Sequence, residues 1–350
     1  MPTIDAFPHI LPKQLFERMV GAAETRAAQT WLNGSRRHVG LYDLDVRFRV
    51  MDRFADYRQV LTLATPSLEQ VATGATGRDL AQLANDSLAE LCAKYPDRFI
   101  GFAAGLPMDD PNASVVELDR AVGSLGALGV QIFTNVNGHA LDEPRFDPLF
   151  ARLSALDRPI WVHGARSFIY PEFVGDEESK YGLWLGLGWP YEMAMFMARL
   201  VLSGTLERYP NLRFLTHHGG GMIPSFAQRV GANPVGFQGP EHAPELEAYQ
   251  RLPKSPVEYF QRNFYADTTV GAVARTIRTS IDFFGPEHVL FATDWPFGPP
   301  TDEASIGPTL RVLGELGLSQ RDLDLVLGDN ARNLLGVAVK HQVEIALRQA

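Results

Sequence analysis

Trp189–Pro224 reads WPYEMAMFMARLVLSGTLERYPNLRFLTHHGGGMIP, and its reading decides the fold. Tyr191–Tyr209 has the apolar spacing of a helix, and Leu212–His217 (LRFLTH) is a short apolar run that ends on a histidine. A helix that feeds a buried strand is one unit of a parallel sheet.

The same unit recurs in both directions along the chain. Further strand-like runs are Thr3–Phe7, Gln59–Ala64, Phe99–Gly105, Gly129–Phe133, Pro159–His163, Phe264–Asp267 and Val289–Asp294. With Leu212–His217 they make eight. Helical patterns separate them at Arg78–Tyr95, Ala113–Leu128, Arg145–Leu156 and Ala272–Phe284. Several of these end at Pro or Gly, as helix stops do. Eight buried strands alternating with helices predict an α/β fold, a TIM-like (β/α)8 barrel. The alternative is an open doubly wound sheet, but no GxGxxG follows the first strand. The expectation is a single barrel domain over residues 1–350, with irregular insertions near 30–45, 166–190 and 231–256. Insertions placed after barrel strands would lie over the C-terminal face, where barrel enzymes carry their chemistry.

Composition narrows the function classes. The chain has 350 residues, 45% of them hydrophobic, with 32 basic and 41 acidic side chains and a net charge of −9. No basic run is long enough to grip a phosphate backbone, which argues against nucleic acid. No stretch of about 18 apolar residues is present to cross a membrane. The amino-terminal residues lack the basic and apolar regions of a signal peptide. The single cysteine, Cys92, rules out an intramolecular disulfide and a multi-cysteine zinc site, so a cytoplasmic location is expected.

The polar residues that remain gather at strand ends. His9 lies just beyond the first strand, and His163 ends the fifth. His217 and His218 end the sixth, Asp267 the seventh and Asp294 the eighth. Imidazoles and a carboxylate converging at the carboxyl ends of barrel strands suit a divalent ion such as Zn²⁺. Taken singly, each histidine is more often a hydrogen-bonded structural residue, and only the joint placement favours a ligand role.

These residues resemble the amidohydrolase superfamily, in its branch typified by aminocarboxymuconate-semialdehyde decarboxylase. IDAFPHILP, DVRFRVMDRF, PIWVH, the Trp189–Pro224 stretch, TDWPFG and LGDNARNLLG follow that branch's order along most of the chain. The resemblance implies a divalent metal, zinc with manganese as the alternative, held by His9, His163 and Asp294. It implies His218 and Asp294 as catalytic groups and Arg47 as the cation for a substrate carboxylate. Arg229 and Arg166 are further cations of the same kind. Consecutive strand residues face opposite ways, so His217 is expected to point away from the barrel axis. Trp184, Trp189, Trp295, Phe168 and Tyr170 are expected over the pocket, where they would stack on substrate or close the mouth by packing. The chain departs from the pattern at Phe7, where the first histidine of the opening motif would stand, and a phenyl ring binds no ion.

The expected function is non-oxidative decarboxylation of an aromatic or unsaturated carboxylic acid, the acid being the small-molecule partner. Metal-dependent hydrolysis of a C–C, C–N or C–O bond is the alternative, since the same parts activate water. A non-catalytic acid-binding barrel is a third reading, motivated by Phe7. The resemblance also implies a homodimer.

Overall fold

The computed structural model describes residues 2–232, 243–298 and 305–336. The expected insertion at 231–256 therefore lies partly outside the described residues. Nine strands run in parallel: β1 (Thr3–Asp5), β2 (His9–Ile10), β3 (Tyr57–Leu63), β4 (Phe99–Gly105), β5 (Gly129–Phe133), β6 (Ile160–His163), β7 (Phe214–Thr216), β8 (Phe264–Asp267) and β9 (Val289–Leu290). They pair in the order β1-β3-β4-β5-β6-β7-β8-β9, with β2 also on β3. The first expected strand, Thr3–Phe7, is thus β1 ending at Asp5, and a further short strand, β2, follows beyond Pro8. Beyond β9, Ala6 N donates to Phe291 O at 2.9 Å and His9 N to Trp295 O at 2.6 Å. These bonds join the last strand to the first and close a (β/α)8 barrel.

Two apolar layers hold the barrel. Ile4, Ala6, Phe7, Val60, Ala103, Trp161, Leu215, Leu290 and Ala292 fill its interior. Trp161 Nε1 donates to Ala6 O at 2.8 Å, which satisfies the one polar atom this large ring buries. The opposite strand faces, including Ile160, Val162, Phe214 and Val289, pack against the surrounding helices. This alternation of in and out along each strand fixes what the strand ends point at.

The helices match their expected spans with shifted ends. Gly74–Lys94, Pro111–Gly123, Asp147–Leu156 and Ala274–Phe284 are continuous. The expected Tyr191–Tyr209 helix is two helices, Trp189–Leu202 and Thr205–Arg208, parted at Gly204, whose φ is 73°. The segment expected to be irregular near 30–45 is mostly helical. Arg26–Ser35 is capped by Thr25, whose side chain accepts from Ala28 N, and Leu44–Met51 by Asp43, which accepts from Asp45 N and Val46 N. Capping of this kind starts short helices despite weak apolar periodicity. No helix among the described residues is long and apolar enough to cross a membrane.

Candidate metal centre and active site

Strand parity brings the site together. On β6, Trp161 faces the barrel interior, so His163 two residues later does the same. On β7, Leu215 faces inward, so His217 follows it into the barrel. This corrects the expectation that His217 points away. His218 has already left the strand, with φ 57° and ψ 46°. Asp294 also sits in the left-handed region, at φ 61°. Such backbone is uncommon for non-glycine residues and clusters at functional sites.

His9, His163, His217 and Asp294 each offer one ligand atom within 4.8 Å of the others. The three imidazoles are oriented alike. His9 Nδ1 lies 2.9 Å from Leu63 O, and His163 Nδ1 lies 2.8 Å from Gly164 O. His217 Nδ1 lies 2.5 Å from Asp267 Oδ2. Oxygen acceptors at Nδ1 of His9 and His163 favour the Nδ1–H tautomer and leave their Nε2 atoms available as donors to an ion, while His217 Nε2 lies 3.5 Å from Asp294 Oδ1. His9 Nε2 is buried without a hydrogen bond, although Asp294 Oδ1 is 3.1 Å away. A buried nitrogen with no partner, beside a carboxylate and two more imidazoles, is what a divalent cation would satisfy. The residues therefore fit the implied ion.

Electrostatics separate the histidines. Burial lowers His9, and burial together with the neighbouring histidines lowers His163 well below its ordinary value. A lowered proton affinity is in the direction that a nitrogen ligand requires. Burial would lower His217 too, but the Asp267 and Asp294 carboxylates lift it to about 9. Burial and the His217 charge push His218 down to about 3. Burial would raise Asp294, yet hydrogen bonding and charge, from His217 first, hold it well below the usual carboxylate range.

Phe7 forms the floor. Its ring stacks on that of His217, with centroids 4.1 Å apart and planes at 27°. Asp267, at the end of the seventh expected strand, supports His217. Its Oδ1 accepts from Gly219 N at 3.0 Å and Thr269 N at 3.1 Å, while Oδ2 meets His217. Gly219 is required there: its φ is 67°, and a Cβ would come within 2.8 Å of Val270 and 2.9 Å of Ser280.

Above the cluster lies a cavity of about 450 Å³, lined by His163 and Asp294 at one end. Trp189, Trp184 and Phe168 line it, as do Trp31, Arg37, His38 and Phe297, which sequence reasoning missed. Thr25 before Arg26–Ser35 was the available signal: a cap there makes a helix that carries Trp31 over the barrel mouth.

Three expected substrate contacts lie elsewhere. Arg47 is fully buried behind the site, where its guanidinium donates to Gln59 Oε1 and to the carbonyl of His9. Trp295 covers it, the guanidinium carbon 4.6 Å from the ring centre, and so faces Arg47 rather than the cavity. Arg229 is exposed on the Ile223–Gly231 helix and does not line the cavity. Arg166 and Tyr170 line a neighbouring cavity with Glu192. His218 is half-buried beside the cluster, its ring 5.5 Å from His163 and 5.7 Å from Trp189.

Known proteins share this architecture. The sequence profile described as Amidohydrolase matches residues 18–337. Gamma-resorcylate decarboxylase of Rhodococcus jostii (strain RHA1) is 33% identical over 265 residues, which cover 72% of this chain and 77% of that protein. 2-Amino-3-carboxymuconate-6-semialdehyde decarboxylase of Dictyostelium discoideum is 33% identical over 299 residues, covering 85% and 77%. A dihydroxybenzoic acid decarboxylase from Polaromonas sp. JS666 was crystallised with manganese and the inhibitor 2-nitroresorcinol. It superposes with a TM-score of 0.73 at 25% identity, covering 96% of this chain and 97% of that one.

Proposed function

The chain belongs to the amidohydrolase family, and on that premise we propose that it is a metal-dependent decarboxylase releasing CO₂ from an aromatic carboxylic acid. The observation that carries this reading is the convergence of His9, His163, His217 and Asp294, whose ligand atoms lie within 4.8 Å of one another, with Nδ1 of each imidazole against an oxygen and Nε2 of His9 buried without a hydrogen bond. The relatives reported above are decarboxylases, which favours loss of CO₂ over hydrolysis.

In this reading His9, His163 and Asp294 would hold the ion, a three-ligand set that leaves an open position. When bound, a divalent ion supplies a Lewis acid that polarises a substrate oxygen and gives the electron pair of the departing carboxylate somewhere to go. Zinc and manganese both suit imidazole and carboxylate donors, and manganese is the ion in the Polaromonas relative. The substrate ring lies in the cavity against Trp189. His217, oriented by Asp267 at Nδ1, is placed to carry the proton that replaces CO₂ on the ring carbon. His218, its ring 5.5 Å from that of His163, is the other candidate for this role.

Two finer readings accompany this. A cytoplasmic location is supported by the lone Cys92. A homodimer would give the exposed apolar side chains Phe173, Val174, Tyr181 and Leu187 a second copy to pack against.

The test is to strip the protein with a chelator, reload it with Mn²⁺ or Zn²⁺, and measure CO₂ from a panel of hydroxybenzoates and a muconate semialdehyde. We expect about one ion per chain, lost in His163→Ala and Asp294→Ala, and CO₂ release only from reloaded protein. Failure to bind either ion would sink the reading.

A further inference from the structure

Trp31 comes from one segment, Trp184 and Trp189 from another, and the three meet over the cavity. Trp31 lies on the Arg26–Ser35 helix, Trp184 in the turn Trp184–Gly188, and Trp189 at the start of the following helix. Trp31 and Trp184 are edge-to-face with centroids 5.1 Å apart. Each lies 5.8 Å from Trp189, Trp31 nearly parallel to it and Trp184 steeply inclined. Phe168 continues the series at 6.4 Å from Trp184. Trp189 in turn packs 4.8 Å from His163. The rings thus form an unbroken wall from a candidate metal ligand to the cavity mouth. Exposure increases along it, with Trp189 buried and Trp31 and Trp184 half-buried.

The wall is longer than one ring needs. His163 lies within ring-contact distance of Trp189 but makes no such contact with Trp31 or Trp184. A single carboxylated ring held at the metal end therefore engages Trp189 and leaves the two outer tryptophans to water. The cavity, about 450 Å³, falls in the range of roughly 300–1,000 Å³ that encloses drug-sized ligands. Half-exposed tryptophan faces grouped in a groove mark a binding surface, and they stack on a flat partner at low entropic cost.

We propose that the substrate is a two-ring aromatic acid, with its carboxylated ring at the metal end and a second flat ring against Trp31 and Trp184. This rests on the decarboxylase reading and deepens it. The reaction balances as ArCO₂⁻ + H⁺ → ArH + CO₂: the C–C bond to the carboxylate breaks, its electron pair stays on the ring carbon, and a proton from the protein closes the C–H bond. The second ring takes no part in the chemistry, so its binding acts on selectivity.

The experiment compares salicylate and 2,6-dihydroxybenzoate with a hydroxynaphthoate and a phenylsalicylate on the metal-reloaded full chain. We expect kcat/KM about tenfold or more higher for the two-ring acids. Trp184→Ala and Trp31→Ala should each remove most of that advantage, and Trp184→Phe should keep it. Equal or better turnover of the single-ring acids would overturn the proposal while leaving the decarboxylase reading intact. If no acid releases CO₂, quenching of tryptophan emission decides. Binding about tenfold tighter for the phenylsalicylate than for salicylate supports the wall although the decarboxylase reading has failed, and equal binding overturns it.

Discussion

Asp267 and His217 form a fully buried carboxylate–imidazole pair, Oδ2 to Nδ1 at 2.5 Å, and the other carboxylate oxygen is occupied by two backbone amides. The carboxylate can neither rotate away nor take another partner. His217 is thereby fixed in tautomer and direction, with Nε2 3.5 Å from Asp294 Oδ1.

Asp267→Asn breaks this arrangement without emptying it, because asparagine has one acceptor oxygen where three donors converge. With His217 as the proton carrier, kcat should fall by about 10²–10⁴-fold with KM little changed. Bound metal, counted by elemental analysis, should stay near one per chain. Loss of the ion together with activity would instead make His217 a ligand.

Phe7→His tests the departure from the family motif. Phe7 is fully buried with its ring on His217. An added imidazole should tighten metal binding at least about tenfold in a chelator competition, since another donor joins the set. The stripped variant should unfold about 2 kcal/mol more easily, because a buried apolar ring becomes a polar one without a partner.

Arg47→Met separates structure from substrate binding. The guanidinium satisfies Gln59 Oε1 and the His9 carbonyl in a site closed to solvent. Its removal leaves both acceptors buried and unpaired, and we expect a loss of about 3 kcal/mol in urea unfolding. KM for the acid should change by less than about twofold, as for a residue outside uniform substrate binding. A large rise in KM with unchanged stability would return Arg47 to the substrate.

Glu69 gives the fold a pH dependence of its own. Burial, with a smaller contribution from Asp109, raises its carboxyl from 4.5 to about 7, and its Oε1 has no hydrogen-bond partner. The folded state therefore holds a proton that the unfolded chain releases near 4.5. The protonated carboxyl's stability is fully present below about 4.5 and is lost as pH rises through about 7. The difference corresponds to roughly 3 kcal/mol. Glu69→Gln removes it, so urea unfolding at pH 5 and pH 8 should show the variant gaining by that order on the parent at the higher pH. No relative gain would mean that Glu69 is solvated.

The sequence by itself determined the periodic elements and what ends them. The buried apolar runs, the helical spacings and the polar residues at strand ends specify a parallel barrel, because these signals are local and repeat at fixed intervals. They place His9, His163 and Asp294 at carboxyl ends, and they mark 166–190 as a long loop bearing aromatic residues. Direction and company were decided only in three dimensions. Whether His217 or His218 enters the barrel depends on which β7 residues face inward, and Leu215 opposite Phe214 sets that parity. Arg47 reads as a substrate cation until Gln59, His9 and Trp295 close around it from three other segments. Trp31 and Trp184 are 153 residues apart in sequence and become neighbours only when the capped Arg26–Ser35 helix folds over the mouth. Local pattern encodes which elements form. Side-chain direction, burial and partners are fixed by packing between segments distant in the chain, where a shift of one residue exchanges core for solvent.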